Sequence, residues 1–147
     1  MISVCRKFEF CYGHRLYEHK GKCANIHGHN AVVMCYIKKF DDLKPSLNSE
    51  GMVIDFCIVK ERLGEWINKN WDHKFLFYEK DNFIDVSYFP PDSVFPCSFN
   101  PTAENLAEYL RKKVCSILFN DLGIEVYRID FYETSSCFAI SEKEKIS

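Results

Sequence analysis

The sequence predicts an α+β fold: a four-stranded antiparallel sheet with two helices on one face, in the order β-β-α-α-β-β. Three observations predict it. Two runs near the N-terminus, Ile2–Phe10 and His29–Ile37, alternate apolar and polar residues with the period of a half-buried strand. Two later stretches carry apolar residues three and four apart, as helices packed on one side do. Alternation then returns over Ile124–Glu133 and, briefly, over Cys137–Ile140.

Each element has its local reason. Phe8 and Phe10 mark one face of the first strand, and the second is rich in the β-branched and aromatic types that suit a pleated surface. Arg15–Lys22 between them is polar and patternless, and Leu43–Gly51 has the Pro, Ser, Asn and Gly content of a connection. Asp55 stands in an N-cap position ahead of Phe56, Val59, Leu63, Trp66 and Ile67, an apolar stripe that stops near Asn68–Asn70. From Glu79 to Phe99 the pattern fails. Pro90, Pro91 and Pro96 forbid a continuous helix there, so residues 79–99 are expected to form a long loop or insertion, peripheral or serving as a flap or subunit contact. Asn100-Pro101 opens the second helix with Pro in its first position and Glu104 in the first turn, where the helix dipole favours negative charge. Leu106, Leu110, Val114, Ile117 and Leu118 form its buried face, and Gly123 is the expected left-handed stop. The charged tail, Ser141–Ser147, is expected to fray.

Residues 1–147 are read as a single domain, since 147 residues can enclose one core but not two. A net charge of −2 leaves no electrostatic footprint for nucleic acid. Aromatic residues make up 16%, which favours a thick core or a large buried contact with another copy. The eight cysteines include no C-x-x-C pair, and Met1–Arg6 has neither the basic nor the apolar region of a secretory signal. A reduced, cytoplasmic protein is expected, with most thiols packed as small hydrophobes. No apolar run approaches the ~18 residues of a membrane span.

The chemistry concentrates at Cys23-Ala-Asn-Ile-His27-Gly-His29, where one thiol and two imidazoles fall just as a strand begins. On a strand His27 and His29 are an i, i+2 pair with both rings on one face. Zinc accepts imidazole nitrogen, and a catalytic site offers three protein ligands with a fourth position open. His14, at the end of the first strand, is favoured as the third ligand over His19, which lies in the polar loop. Cys23 has the cations Lys20 and Lys22 beside it, the setting in which a thiol works as its thiolate. Taken alone, Asp72 reads as a cap, His73 as a surface residue and Glu133 as a solvated strand end.

Six motifs in order change that reading: Phe8-Glu-Phe-Cys-Tyr-Gly-His14-Arg-Leu, Cys23-x-x-x-His27-Gly-His29-Asn, Gly51-Met-Val-Ile-Asp55-Phe, Asp72-His73, Asn100-Pro-Thr-Ala-Glu104-Asn and Glu133-Thr134. Together the chain from about residue 8 to about residue 135 resembles the 6-pyruvoyl-tetrahydropterin synthase / 6-carboxytetrahydropterin synthase family. The resemblance implies the tunnelling fold (T-fold), in which subunits join their sheets into a barrel with the helices outside, as trimers that pair into hexamers. It implies Zn2+ on His14, His27 and His29, Cys23 as general base, Asp72 and His73 as a proton relay reaching Cys23 across a subunit boundary, and Glu133 as acceptor for the pterin ring. The implied substrate is 7,8-dihydroneopterin triphosphate. The short Cys-to-His spacer resembles the carboxy branch, which releases acetaldehyde on the route to queuosine. The pyruvoyl branch keeps the side chain. A zinc-stabilised pterin- or purine-binding module and a zinc hydrolase are the readings from other classes.

Overall fold

The computed structural model describes residues 1–40 and 51–145. Its strands are β1 (Ser3–His14), β2 (His27–Lys39), β3 (Lys74–Tyr78), β4 (Val94–Cys97), β5 (Ile124–Tyr132) and β6 (Phe138–Glu142). Helix α1 runs through Phe56–Val59, Lys60–Gly64 and Glu65–Asn70, and helix α2 through Ala103–Tyr109, Leu110–Cys115 and Ser116–Leu118. The fold is α+β, as expected. The sheet is larger and mixed: six strands in the order β4-β3-β1-β2-β5-β6. Strands β1, β2, β5 and β6 are antiparallel neighbours, whereas β3 and β4 add a parallel edge beside β1.

The two extra strands come from stretches with little periodicity. Phe75, Leu76 and Phe77 are all buried, so β3 lacks the alternation that marks a one-faced strand. Strand β4 lies inside the segment expected to be loop, and the ring of Pro96 is tolerated because β4 is the sheet edge. The expected tail also begins later. Ser141 and Glu142 belong to β6, where Ser141 is buried and its hydroxyl accepts a hydrogen bond from Arg111 Nε at 2.9 Å. The connection expected over 43–51 lies, except for Gly51, outside the described residues, as do residues 146 and 147 of the tail.

Between the sheet and the helices lies the core, in which Phe10, Val33, Ile129 and Phe131 of the strands meet Val59, Leu63 and Ile67 of α1 and Leu106, Leu110 and Val114 of α2. In both helices these residues repeat every four positions. A stripe of that spacing overshoots the α-helical turn of about 3.6 residues, and each helix widens into a π stretch midway, at Lys60–Gly64 and Leu110–Cys115. The wider turn keeps the stripe facing the sheet. At its start α1 is capped as expected, with Cys57 N donating to the Asp55 carboxylate at 2.8 Å. The start of α2 differs: Thr102 is the cap, its hydroxyl accepting from Asn105 N at 3.1 Å, so Pro101 stands just before the helix. Nor is Gly123 a left-handed stop, because α2 ends at Leu118 and Gly123 has no positive φ. Its carbonyl instead accepts from Phe40 N at 3.1 Å.

Candidate metal centre and active site

Strand register builds the site. Pairing of β1 with β2 sets His14 opposite His27 and Tyr12 opposite His29, so two adjacent inward-facing rungs carry three imidazoles and a phenol. Between those rungs Gly13 faces Gly28. A Cβ on Gly28 would stand 2.9 Å from the backbone oxygen of Tyr12, closer than atoms pack, so the rung between the histidines closes only around glycine.

One ring nitrogen from each of His14, His27 and His29 converges on a common point. One ligand atom from each of the three residues lies within 4.8 Å of the others, and the two Nε2 atoms of His14 and His27 are 3.0 Å apart. Backbone carbonyls fix two of the tautomers: His14 Nδ1 lies 2.8 Å from Pro101 O, and His27 Nδ1 lies 2.7 Å from Asn25 O. A carbonyl oxygen only accepts, so these Nδ1 atoms carry the protons and both Nε2 atoms present lone pairs to each other. His29 Nε2 is buried with no hydrogen-bond partner within the chain. Facing lone pairs and a buried orphan nitrogen are unfavourable unless a cation sits among them. Three nitrogens on a tetrahedral zinc would stand about 3.3 Å apart; the His14–His27 pair is close to that spacing at 3.0 Å, and the His29 ligand atom lies within 4.8 Å of both. The donor set therefore fits a metal with one open position.

Burial sets the electrostatics. It pushes the His14 pKa down to about 4, against the Pro101 contact that favours the charged ring, with His27 and His29 adding to the depression. Burial lowers His29 as well, opposed by the Glu133 carboxylate. Both rings are thus kept neutral, the form that binds metal.

The other sequence-derived residues fall in two places. Glu133, just past β5, lies on the triad side of the sheet, its carboxylate 3.9 Å from His14 Nε2. Cys23 sits half-buried in a single 3-10 turn, Lys22–Ala24, whose carbonyl at Cys23 accepts from Leu16 N at 2.9 Å. Asp72 and His73 lie elsewhere. His73 Nδ1 is 2.9 Å from Asp72 Oδ1, and the pair is fastened to β1 through Cys11, whose N donates to Asp72 Oδ1 at 3.1 Å and whose O accepts from His73 N at 2.6 Å. With Glu9, Cys11, Asn30 and Val32 they line a cavity of about 520 Å³. Those four residues alternate with Tyr12 and His29, so the pair looks out of the opposite face of the sheet from the triad. His73 adopts φ 60, a left-handed conformation uncommon for a non-glycine residue that costs about 1 kcal/mol or more.

Sequence reasoning missed four contributors. Tyr12, beside the triad, has a buried hydroxyl without a hydrogen-bond partner, and burial and the nearby Glu133 carboxylate both push its pKa upward. The Pro101 and Asn25 carbonyls set the tautomers, yet a carbonyl leaves no sequence signal. Asn100 fixes the Pro101 corner by a two-way bond to the backbone of Tyr17, accepting from its N at 2.9 Å and donating to its O at 3.2 Å. The fourth is the Arg15–Asp81 pair.

Comparison with known proteins places this arrangement. A family model described as 6-pyruvoyl tetrahydropterin synthase matches residues 3–144. The chain belongs to the 6-pyruvoyl tetrahydropterin synthase family. A 6-carboxy-5,6,7,8-tetrahydropterin synthase of Rickettsia typhi is 35% identical over 142 residues, covering 94% of this chain and 98% of the relative. Among solved structures, an uncharacterized protein from Wolinella succinogenes superposes with a TM-score of 0.78 at 21% identity, covering 97% of this chain and 98% of that one. The 6-pyruvoyl tetrahydropterin synthase of Caenorhabditis elegans superposes with a TM-score of 0.63 at 23% identity, over 97% and 96%. The fold is thus the T-fold of this family. Among the described residues no helix is long and apolar enough to cross a membrane.

Proposed function

We propose that the chain is a zinc-dependent 6-carboxy-5,6,7,8-tetrahydropterin synthase, a cytoplasmic homo-oligomer built of trimers. It takes 7,8-dihydroneopterin triphosphate and water to 6-carboxytetrahydropterin, acetaldehyde and triphosphate on the route to queuosine. The observation that carries the reading is the convergence of three imidazole nitrogens, two of them held as lone-pair donors by backbone carbonyls, in a chain 35% identical to a relative of that name.

His14, His27 and His29 hold the zinc. A metal held there would supply Lewis acidity to the substrate side chain and so make its C–H groups more acidic. Cys23, as thiolate, takes the proton released there. Glu133 faces the pterin: the ring's 2-amino group and N3–H are two donors side by side, which one carboxylate accepts together. The Asp72 carboxylate orients His73 through Nδ1, leaving Nε2 to pass a proton to and from the substrate. Because Asp72 and His73 face away from the triad of their own chain, they serve the site of a neighbouring copy.

Zinc-loaded protein incubated with 7,8-dihydroneopterin triphosphate tests the reading. The expected products are acetaldehyde and 6-carboxytetrahydropterin, identified by mass spectrometry. A pyruvoyl product without acetaldehyde moves the chain to the other branch. No turnover with metal bound overturns the synthase reading in favour of a binding module.

A further inference from the structure

Residues 79–99 carry a buried carboxylate that neither the core nor the metal centre explains. Asp81 is 4% exposed, and its partner is Arg15, one residue after His14. The guanidinium binds it with a fork, Nε to Oδ2 at 2.6 Å and Nη2 to Oδ1 at 3.3 Å. The third nitrogen of that fork, Nη1, donates to the carbonyl of Ala24 at 2.6 Å. The ring of Phe83 stacks over the guanidinium, its centroid 4.5 Å from the guanidinium carbon, and Asp81 also accepts from Phe83 N at 3.0 Å. All three nitrogens of this cation are engaged, and one of its bonds ends on the turn that contains Cys23.

That turn has little else to hold it. It is a three-residue 3-10 turn with no side-chain cap and no buried residue. Outside its own bonds it is tied to the fold through Leu16 N to Cys23 O, at 2.9 Å, and Arg15 Nη1 to Ala24 O. Arg15 itself is set by Asp81, because a rigid planar fork committed to a buried carboxylate has one remaining direction in which to donate.

We infer that Arg15 and Asp81 are positioning residues for Cys23, and that the segment following β3 reaches the site through this pair: Asp81 aims Arg15, and Arg15 pins the Ala24 carbonyl so that the thiol keeps one orientation. The inference rests on the proposed role of Cys23 for its effect on turnover, but not for its effect on the geometry of the turn.

The test uses zinc-loaded full-length protein with Asp81→Asn and Arg15→Lys, reading iodoacetamide labelling cysteine by cysteine by peptide mass spectrometry. Loosening the turn is expected to raise the labelling rate of Cys23 several-fold while Cys35, Cys97 and Cys115, all buried, keep theirs. In turnover, kcat is expected to fall roughly 10- to 100-fold with KM changed little, as for a misplaced reacting group. Arg15→Lys, which keeps the charge and loses the fork, is expected to be impaired as well. Unchanged labelling of Cys23, or a rise shared by the three buried cysteines, overturns the inference. Cys23→Ala separates the two readings: if it retains turnover, Cys23 is not the base, and the labelling pattern alone then decides whether the pair positions the turn.

Discussion

His14 Nδ1 lies 2.8 Å from the carbonyl oxygen of Pro101, and that contact decides which nitrogen of His14 is free to bind a metal. The carbonyl can only accept, so the proton stays on Nδ1 and the lone pair on Nε2 faces His27. Pro101 is in turn held by Asn100, whose amide bonds both polar backbone atoms of Tyr17. Outer partners of this kind typically change metal affinity 10–100-fold when lost. Asn100→Ala is therefore expected to weaken zinc binding by about that factor, with all three histidines in place. Competition against a chromogenic chelator measures it, and unaltered affinity would remove Asn100 from the support of the site.

The metal-free protein should lose stability in mild acid. His14 has an ordinary pKa of 6.5 in the unfolded chain and about 4 in the fold, where burial disfavours the charged ring. Between those values the unfolded state binds more protons, so stability falls as pH drops from 6.5 to about 4 and loses nothing further below that from this group. The difference corresponds to about 3 kcal/mol. His29, also lowered by burial, acts in the same direction. Urea unfolding of the metal-free protein at about pH 7.5 and about pH 4.5 checks it, with His14→Gln as the variant in which the slope is reduced.

How much of this site the sequence shows depends on distance along the chain. His27 and His29 are two residues apart on an alternating strand, so their shared face is legible, and His14 ends a strand that alternation also reveals. What the alternation leaves hidden is β3, because a strand buried on both faces gives a run of apolar residues rather than a period. Asp81 is the sharper case. After Glu79-Lys80 it reads as a solvated turn residue, and only Arg15, 66 positions earlier, makes it a buried one. The π stretches have a trace in the strict spacing of four at Val59, Leu63 and Ile67, which an ideal α-helix does not keep on one line.

Gly28→Ala should damage the site through the backbone. Its Cβ would meet Tyr12 O at 2.9 Å, and the pairing of β1 with β2 would have to open to admit it. Overpacking of that kind typically costs about 1–3 kcal/mol. Both the unfolding free energy and the zinc affinity are expected to fall together. If affinity falls while stability holds, the strand pairing is not what sets the histidines.

Tyr12→Phe should leave the free protein at least as stable. The hydroxyl is buried with no partner at hydrogen-bond distance, although the Glu133 carboxylate is near enough to act on it, and a buried group left unsatisfied in this way costs about 1–3 kcal/mol. Removing the oxygen keeps the ring contacts with His14 at 5.0 Å and Phe131 at 5.7 Å between centroids. Thermal unfolding reads the change directly. A marked loss of stability would mean that the hydroxyl finds a partner in solution, with the Glu133 carboxylate as the nearest candidate by its influence on the phenol.

The division of the machinery between two faces of one sheet gives the most discriminating experiment. Cys23→Ala and His73→Ala are each expected to be inactive, since one removes the proposed base and the other the relay. Yet His73 and Cys11 look out of the face opposite to the side chains of His14, His27 and His29. If the relay works on a neighbouring copy, an oligomer mixed from both variants contains sites in which a Cys23 from one chain meets a His73 from the other. Co-refolding the two inactive proteins should then restore measurable turnover, while refolding either alone restores none. Absence of complementation in a verified mixed oligomer would place base and relay within one chain, which requires the Trp71–His73 turn to leave its bonds to Cys11 and to Ile67 and cross the sheet edge.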